Sequence, residues 1–137
     1  MSTAREVFDR FVQASVENDW DALVDQYAPD VVIEIPFAPD PSLRRSAGGR
    51  EALRTRFASV AGVVRFTGAD VHAVHETTDP EVIVAEYDLH GELVPTGQAF
   101  TRTYAMVITV RGGQIVHSRD YSDPRGVSEL LETAARA

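Results

Sequence analysis

The sequence contains no cysteine. That absence excludes a disulfide frame, a thiolate zinc centre and a cysteine nucleophile. Positive charge is scarce as well: 13 basic side chains face 21 acidic ones, giving a net charge of −8. A chain with that balance is not built to neutralise nucleic-acid phosphates or to dock on anionic lipid. No apolar run approaches the roughly 20 residues that span a bilayer. The charged opening MSTAREVFDR lacks the apolar stretch of a secretory signal. The zinc-protease pattern HExxH and the lysine-bearing phosphate loop are missing too. These gaps lead to the expectation of a cytoplasmic chain that uses no metal and binds neither nucleic acid nor membrane. Its 137 residues suit one domain, 1–137.

What is present reads first as helix, then as strand. Thr3-Ala4-Arg5-Glu6 is a capping box, and Val7, Phe8, Phe11, Val12 and Val16 follow on one helical face. Asn18-Asp19 breaks and recaps the chain. Trp20, Leu23, Val24 and Tyr27 repeat at helical spacing, and Ala28-Pro29 ends that second helix. Residues 31–37 are a β-branched strand closed by Pro36 and the Pro39/Pro41 loop. Gly48-Gly49 opens a third helix with Ala52, Leu53, Phe57 and Val60 on one side. The period then changes to two. Strands are expected at 63–76, 81–93, 99–110 and 114–122, joined by turn chemistry at Asp79-Pro80, Pro95-Thr96-Gly97 and Gly112-Gly113. A short helix is expected at 129–135.

The order α-α-β-α-β-β-β-β-α, with hairpin strands last, favours an α+β fold. A curved antiparallel sheet wrapped around the helices as a cone would leave a central pocket for a small molecule.

This order resembles the nuclear-transport-factor-2-like superfamily, an α+β roll of the cystatin-like kind. Within it the chain is similar to SnoaL-like polyketide cyclases and phenazine-biosynthesis A/B-like proteins. The resemblance is carried by Gln26-Tyr27-Ala28-Pro29-Asp30, Pro36-Phe37-Ala38-Pro39, Gly49-Arg50-Glu51-Ala52-Leu53, the hairpin from Val110 to Val116, and Ser118-Arg119-Asp120-Tyr121-Ser122-Asp123-Pro124. It implies a homodimer and a cofactor-free acid/base site. A ketosteroid isomerase would need acids and a tyrosine where Ile35, Met106 and Phe11 stand. Limonene-epoxide hydrolase shares Arg119-Asp120-Tyr121, Asp123, Asp88 and Pro95-Thr96-Gly97. However, Glu86 replaces its bridging arginine, and Val32 and Glu34 replace its water-holding tyrosine and asparagine. The cyclase and phenazine-type members place an acid on the last strand, where Asp120 lies.

Asp120 is therefore the first catalytic candidate, with Asp88 and Glu34 as acids that would set its protonation state. Tyr104, Arg102, Glu86 and Met106 are candidate substrate contacts, and Trp20, Phe11 and Phe57 candidate apolar walls. A one-residue bulge after Gly112-Gly113 would set Met106 opposite Asp120, whereas an unbulged hairpin would set Ala105 there. On 81–93 one row is Ile83, Ala85, Tyr87 and Leu89, and the other is Glu86, Asp88 and His90. Either the apolar row is core, or it is an outer dimer interface and the ionisable row lines the pocket. The second option underlies the expected homodimer. His72 and His75, three apart, should point to opposite faces of a strand. The expected reaction is a cyclisation or isomerisation of a hydrophobic, oxygenated small molecule. The alternatives are epoxide hydrolysis or epoxide-opening cyclisation, and non-catalytic ligand binding.

Overall fold

The first helix, α1 (Ala4–Val16), begins where the sequence supplies both halves of its cap. The Glu6 amide donates to Thr3 Oγ1 at 3.2 Å and the Thr3 amide to Glu6 Oε1 at 3.0 Å, so two end amides are satisfied reciprocally. Its buried stripe, Val7, Phe8 and Phe11, packs against the sheet. Asn18 then turns the chain with φ 55°, and its amide both donates to the Phe66 carbonyl (2.9 Å) and accepts from the Phe66 amide (2.8 Å). This side chain thus takes a strand partner's place and pins the helix pair to the start of β3. Asp19 caps α2 (Trp20–Asp25) through the Ala22 amide. The computed structural model describes residues 2–123, so the helix expected at 129–135 lies outside the described residues.

Among the described residues six strands form one sheet in the order β2-β1-β6-β5-β4-β3. They are β1 (Tyr27–Glu34), β2 (Arg45–Ser46), β3 (Val64–Glu76), β4 (Val82–Leu93), β5 (Ala99–Arg111) and β6 (Gln114–Tyr121). All neighbours run antiparallel except β1 and β6, which are parallel, so the curved sheet of the expected α+β fold is a mixed one. The first strand also begins earlier than residue 31. Pro29 lies within it because the pairing to β6 lapses between Tyr27 and Val32, and a missing amide costs no ladder bond there.

One face of the sheet packs under the helices. Ile83, Ala85, Tyr87 and Leu89 of β4 and Met106, Ile108 and Val110 of β5 join Val7, Phe8 and Phe11 in the core. Tyr87 meets Phe8 edge-on at 5.5 Å and Phe11 at 6.3 Å. The apolar β4 row is therefore core. The homodimer expected to form through that row loses its basis, because burying Tyr87 and Leu89 against α1 removes the same area from water without a partner. Among the described residues no helix is long and apolar enough to cross a membrane.

The third helix, α3 (Gly49–Ala61), enters against β1 at very close range. Gly49 has φ +70°, and a Cβ built there would lie 2.4 Å from the Pro29 carbonyl oxygen. Gly62, at the other end, has φ −85° and nothing within 4 Å of such a Cβ. The two positions make an internally controlled test. Gly49→Ala should lower stability by about 2 kcal/mol or more, through left-handed strain and backbone displacement. Gly62→Ala should change it by less than about 1 kcal/mol and in the stabilising direction. Urea unfolding of both variants checks this, and equal effects would contradict the tight α3–β1 approach.

Candidate active site

The side on which Asp120 falls is decided at the β5–β6 hairpin. Gly112 and Gly113 both take positive φ (62° and 76°), the requirement of a two-residue turn that follows the sheet's twist. Pairing starts regularly with Arg111 opposite Gln114 and Val110 opposite Ile115, then skips to Thr109 opposite His117. Val116 is the extra residue. From there Ser118 faces Ile108 and Asp120 faces Met106, so both point to the helix side of the sheet. The bulged register is the one that occurs.

Asp120 is half-buried there. Loss of water pushes its pKa up to about 6, against the opposing pull of a hydrogen bond from the Ser118 hydroxyl and of Arg56, Arg102 and His117. A carboxyl held near neutrality exchanges its proton readily at working pH. Three tyrosines lie within its electrostatic reach. Burial raises the pKa of Tyr27, Tyr87 and Tyr104, and the Asp120 charge adds to each rise, so all three stay neutral O–H groups. Tyr104 stacks on Tyr87 with centroids 5.3 Å apart and planes 18° apart. Tyr87 donates to Met106 Sδ at 3.0 Å, which uses its hydroxyl. The hydroxyls of Tyr27 and Tyr104 make no hydrogen bond among the described residues, and neither is a sealed, unsatisfied atom. They remain available as donors. Arg102 lies over Tyr104, its guanidinium carbon 4.8 Å from the ring centroid, and donates to Ser122 Oγ at 3.1 Å.

Of the expected contacts, Tyr104, Arg102 and Met106 are thus brought to Asp120. The other acids are not. Asp88, Glu34 and Glu86 lie on the sheet's outer face, so the expectation that Asp88 and Glu34 share a pocket with Asp120 is corrected. Period-two alternation forces this: once Tyr87 and Leu89 are core, Glu86 and Asp88 must face away. On that face Asp88 accepts from Thr103 at 2.6 Å and meets His72 at 3.0 Å. Glu86 meets His75 at 2.7 Å, and Glu34 meets His117 at 2.7 Å and Arg45 at 3.2 Å. These partners hold the pKa of Asp88 and of Glu34 below the ordinary carboxylate value, Thr103 being the main cause for Asp88 and His117 for Glu34. His72 and His75 consequently reach the same face. The pairing slips between Val71 and Ala73, and the extra residue, His72, breaks the alternation that would have separated them. Among the described residues no three His or carboxylate groups converge as a metal site.

The apolar candidates divide. Phe11 is core, against Tyr27 and Tyr87. Trp20 packs between Phe57 (5.8 Å) and Phe66 (5.9 Å). Trp20 and Phe66 wall an open cleft of about 530 Å³ that also includes Asn18, Arg65 and Val94 but not Asp120. Of the cleft's polar groups, Asn18 is bound to Phe66 and Arg65 to Glu92 (3.0 Å), and Glu17 and Thr67 also line it. Sequence reading missed Tyr27 and Arg56. Arg56 had a signal, since it follows the core residue Leu53 by three on α3. Tyr27 had none, because it was read as part of a helix face.

Comparison with known proteins accords with this architecture. The uncharacterised Bacillus subtilis protein YesE is 27% identical over 93% of this chain and 86% of its own length. A PhzA/B-like protein of Pseudomonas aeruginosa is 29% identical over 97% of this chain and 95% of its own. A crystal structure of a candidate isomerase from Bacillus subtilis superposes with a TM-score of 0.85 at 26% identity, covering 94% of this chain and 92% of that one. At 21% identity, a likeness of fold alone, a Mycobacterium tuberculosis LEH-like epoxide hydrolase gives 0.70 over 98% and 92%. Residues 8–118 match the model of the SnoaL-like domain, and the chain belongs to that family.

Proposed function

We propose that the protein is a cofactor-independent acid/base enzyme that cyclises or isomerises a hydrophobic, oxygenated small molecule, as a cytoplasmic enzyme of secondary metabolism. The observation that supports this most directly is a half-buried carboxyl with a pKa of about 6 beside two neutral, uncommitted phenols. In this reading Asp120, ionised, takes a proton from carbon next to a substrate carbonyl. The C–H electron pair becomes the new C=C bond, the carbonyl π pair moves onto its oxygen, and Tyr27 or Tyr104 donates a hydrogen bond to the resulting enolate. Isomerisation follows when the proton returns to a different carbon. Cyclisation follows when the enolate carbon attacks a second carbonyl and Asp120 protonates the new alkoxide. Hydrolysis of an epoxide by paired acids fits less well, because the sheet separates Asp120 from Asp88.

Exchange of the ketone-flanking CH2 of aryl ketones in D2O, followed by proton NMR, tests the proposal. The wild-type rate should rise as pH passes through about 6, the value at which Asp120 ionises. Asp120→Asn should slow exchange at least 10²-fold, the usual scale for losing a general base. Equal rates for the two proteins would remove Asp120 from the reaction. Binding of the ketones without exchange at any pH would identify a binding domain instead.

The same substitution has an opposite effect on stability. A carboxyl whose folded pKa lies above its unfolded value of 3.8 destabilises the fold at pH above about 6, and that penalty disappears below the unfolded value. Asp120→Asn should therefore raise unfolding free energy at pH 7, by less than about 3 kcal/mol, and leave it unchanged at about pH 3. A variant less stable at pH 7 would show that the carboxylate is a structural ion. Dialysis against EDTA should leave the exchange rate unchanged, whereas a loss restored by zinc or magnesium would overturn the metal-free mechanism.

A further inference from the structure

Tyr87 spends its hydroxyl in an unexpected direction. The side chain is 2% exposed, and its O–H donates to the thioether sulfur of Met106 at 3.0 Å. A thioether is a weak acceptor, whereas an ionised carboxylate is among the strongest in a protein. The Asp120 carboxylate is close by. Met106, itself 2% exposed, pairs directly with Asp120 across β5 and β6, and both side chains lie on the helix side of the sheet. Side chains opposite one another in this way have Cβ atoms about 5 Å apart. The phenol therefore ends on the sulfur of the residue that flanks the acid, and not on the acid.

Packing shows how that direction is fixed. Tyr87 pairs with Tyr104 and Ala85 with Met106, so the hydroxyl reaches one same-face step along β5 to the sulfur. The ring is clamped: Phe8 meets it edge-on at 5.5 Å and Tyr104 stacks on it at 5.3 Å. Its oxygen keeps its place, and only the direction of the O–H bond is open. Without the sulfur, a buried phenol has to find another acceptor. The strongest one that the register sets beside position 106 is the Asp120 carboxylate.

Among the described residues Asp120 receives one hydrogen bond, from the Ser118 hydroxyl of its own strand. Other groups act on it through charge or share its field: His117 on β6, Tyr104 and Arg102 on β5, Tyr87 on β4, Tyr27 on β1 and Arg56 on α3. Of these, Tyr87 is the one whose donor is tied to the cross-strand neighbour of Asp120. Every further hydrogen bond to a carboxylate favours its ionised form and weakens it as a base. We propose that Met106 is a positioning residue, whose sulfur retains the Tyr87 hydroxyl and so keeps that donor off the Asp120 carboxylate. The inference rests on the reading of Asp120 as the acid/base group and adds what protects its proton affinity.

Carboxyl-carbon NMR of isotope-labelled aspartate, followed through a pH titration, reads Asp120 directly, and the signal lost in Asp120→Asn identifies it. Met106→Leu nearly conserves volume and removes the acceptor. It should lower the Asp120 midpoint by about one pH unit or more, the scale of one hydrogen bond to a charged group. Tyr87→Phe should leave the midpoint at the wild-type value, because no bond to Asp120 is lost. This variant reads the direction of the hydroxyl with position 106 untouched. Adding Tyr87→Phe to Met106→Leu should restore the wild-type midpoint. An unchanged or raised midpoint in Met106→Leu, a fall that Tyr87→Phe does not reverse, or a rise in Tyr87→Phe alone would each overturn the inference. The proton-transfer reading fails separately. If the titrations follow this pattern and the wild type exchanges no ketone-flanking protons, the role of Met106 stands and the reaction is removed. Where exchange occurs, its pH midpoint should fall in Met106→Leu together with that of the carboxyl.

Discussion

One additional residue in β6, Val116, controls the chemistry of the whole sheet. Ile115 is core on the helix side. Under strict alternation residues 117 and 119 would follow it inward and Asp120 would point outward, among the histidines and carboxylates of the opposite face. The bulge inverts that parity, so Ser118 and Asp120 turn inward and His117 turns out to meet Glu34. An aspartate in the second setting would be an ordinary ion with ordinary partners. In the first it loses water, gains a hydroxyl donor and shares its surroundings with three phenols and two guanidiniums.

The sheet thereby separates two kinds of ionisable group. Outward, all four histidines of the chain bind carboxylates: His72 to Asp88, His75 to Glu86, His90 to Asp70 and His117 to Glu34. The first three pairs each have a well-exposed partner, so water screens them, whereas His117 and Glu34 are only 27% and 23% exposed. Inward, one acid stands without an ion pair among the described residues, and its proton affinity is set by burial. A single buried acid near neutrality does not need a second acid to raise it, so the acid cluster suggested by counting carboxylates along the strands is unnecessary.

Local chemistry made much of this fold legible. Thr3 and Glu6 announced α1, the paired glycines at 112 and 113 announced the hairpin, and alternation announced four of the six strands. Two things resisted, both for the same reason. A strand's pattern says which residues share a face but not which face is covered, and a bulge leaves no mark in composition. The row of Ile83, Ala85, Tyr87 and Leu89 was visible, yet whether helices or a second subunit covered it depended on where α1 lands. His72 and His75 looked divergent because the slip at His72 could not be seen. Asp120 was singled out by resemblance to a family, and its inward direction required the bulge. Arg56 could have been found by asking which charged residue falls on the buried stripe of α3.

The parallel contact between β1 and β6 places a constraint on how the site is made. Val32 pairs with His117, and between them lies most of the chain. During synthesis β1 emerges early, and only the two-residue β2 can cover one of its edges. Its other edge stays open until β6 is exposed, a long wait for a strand whose backbone groups could pair with another chain. Closing so distant a contact is slow. Among the described strands, the one that carries Asp120 is the last in chain order and the one that joins β1 to the rest of the sheet, so a single strand both closes the most distant contact and sets the direction of that carboxyl.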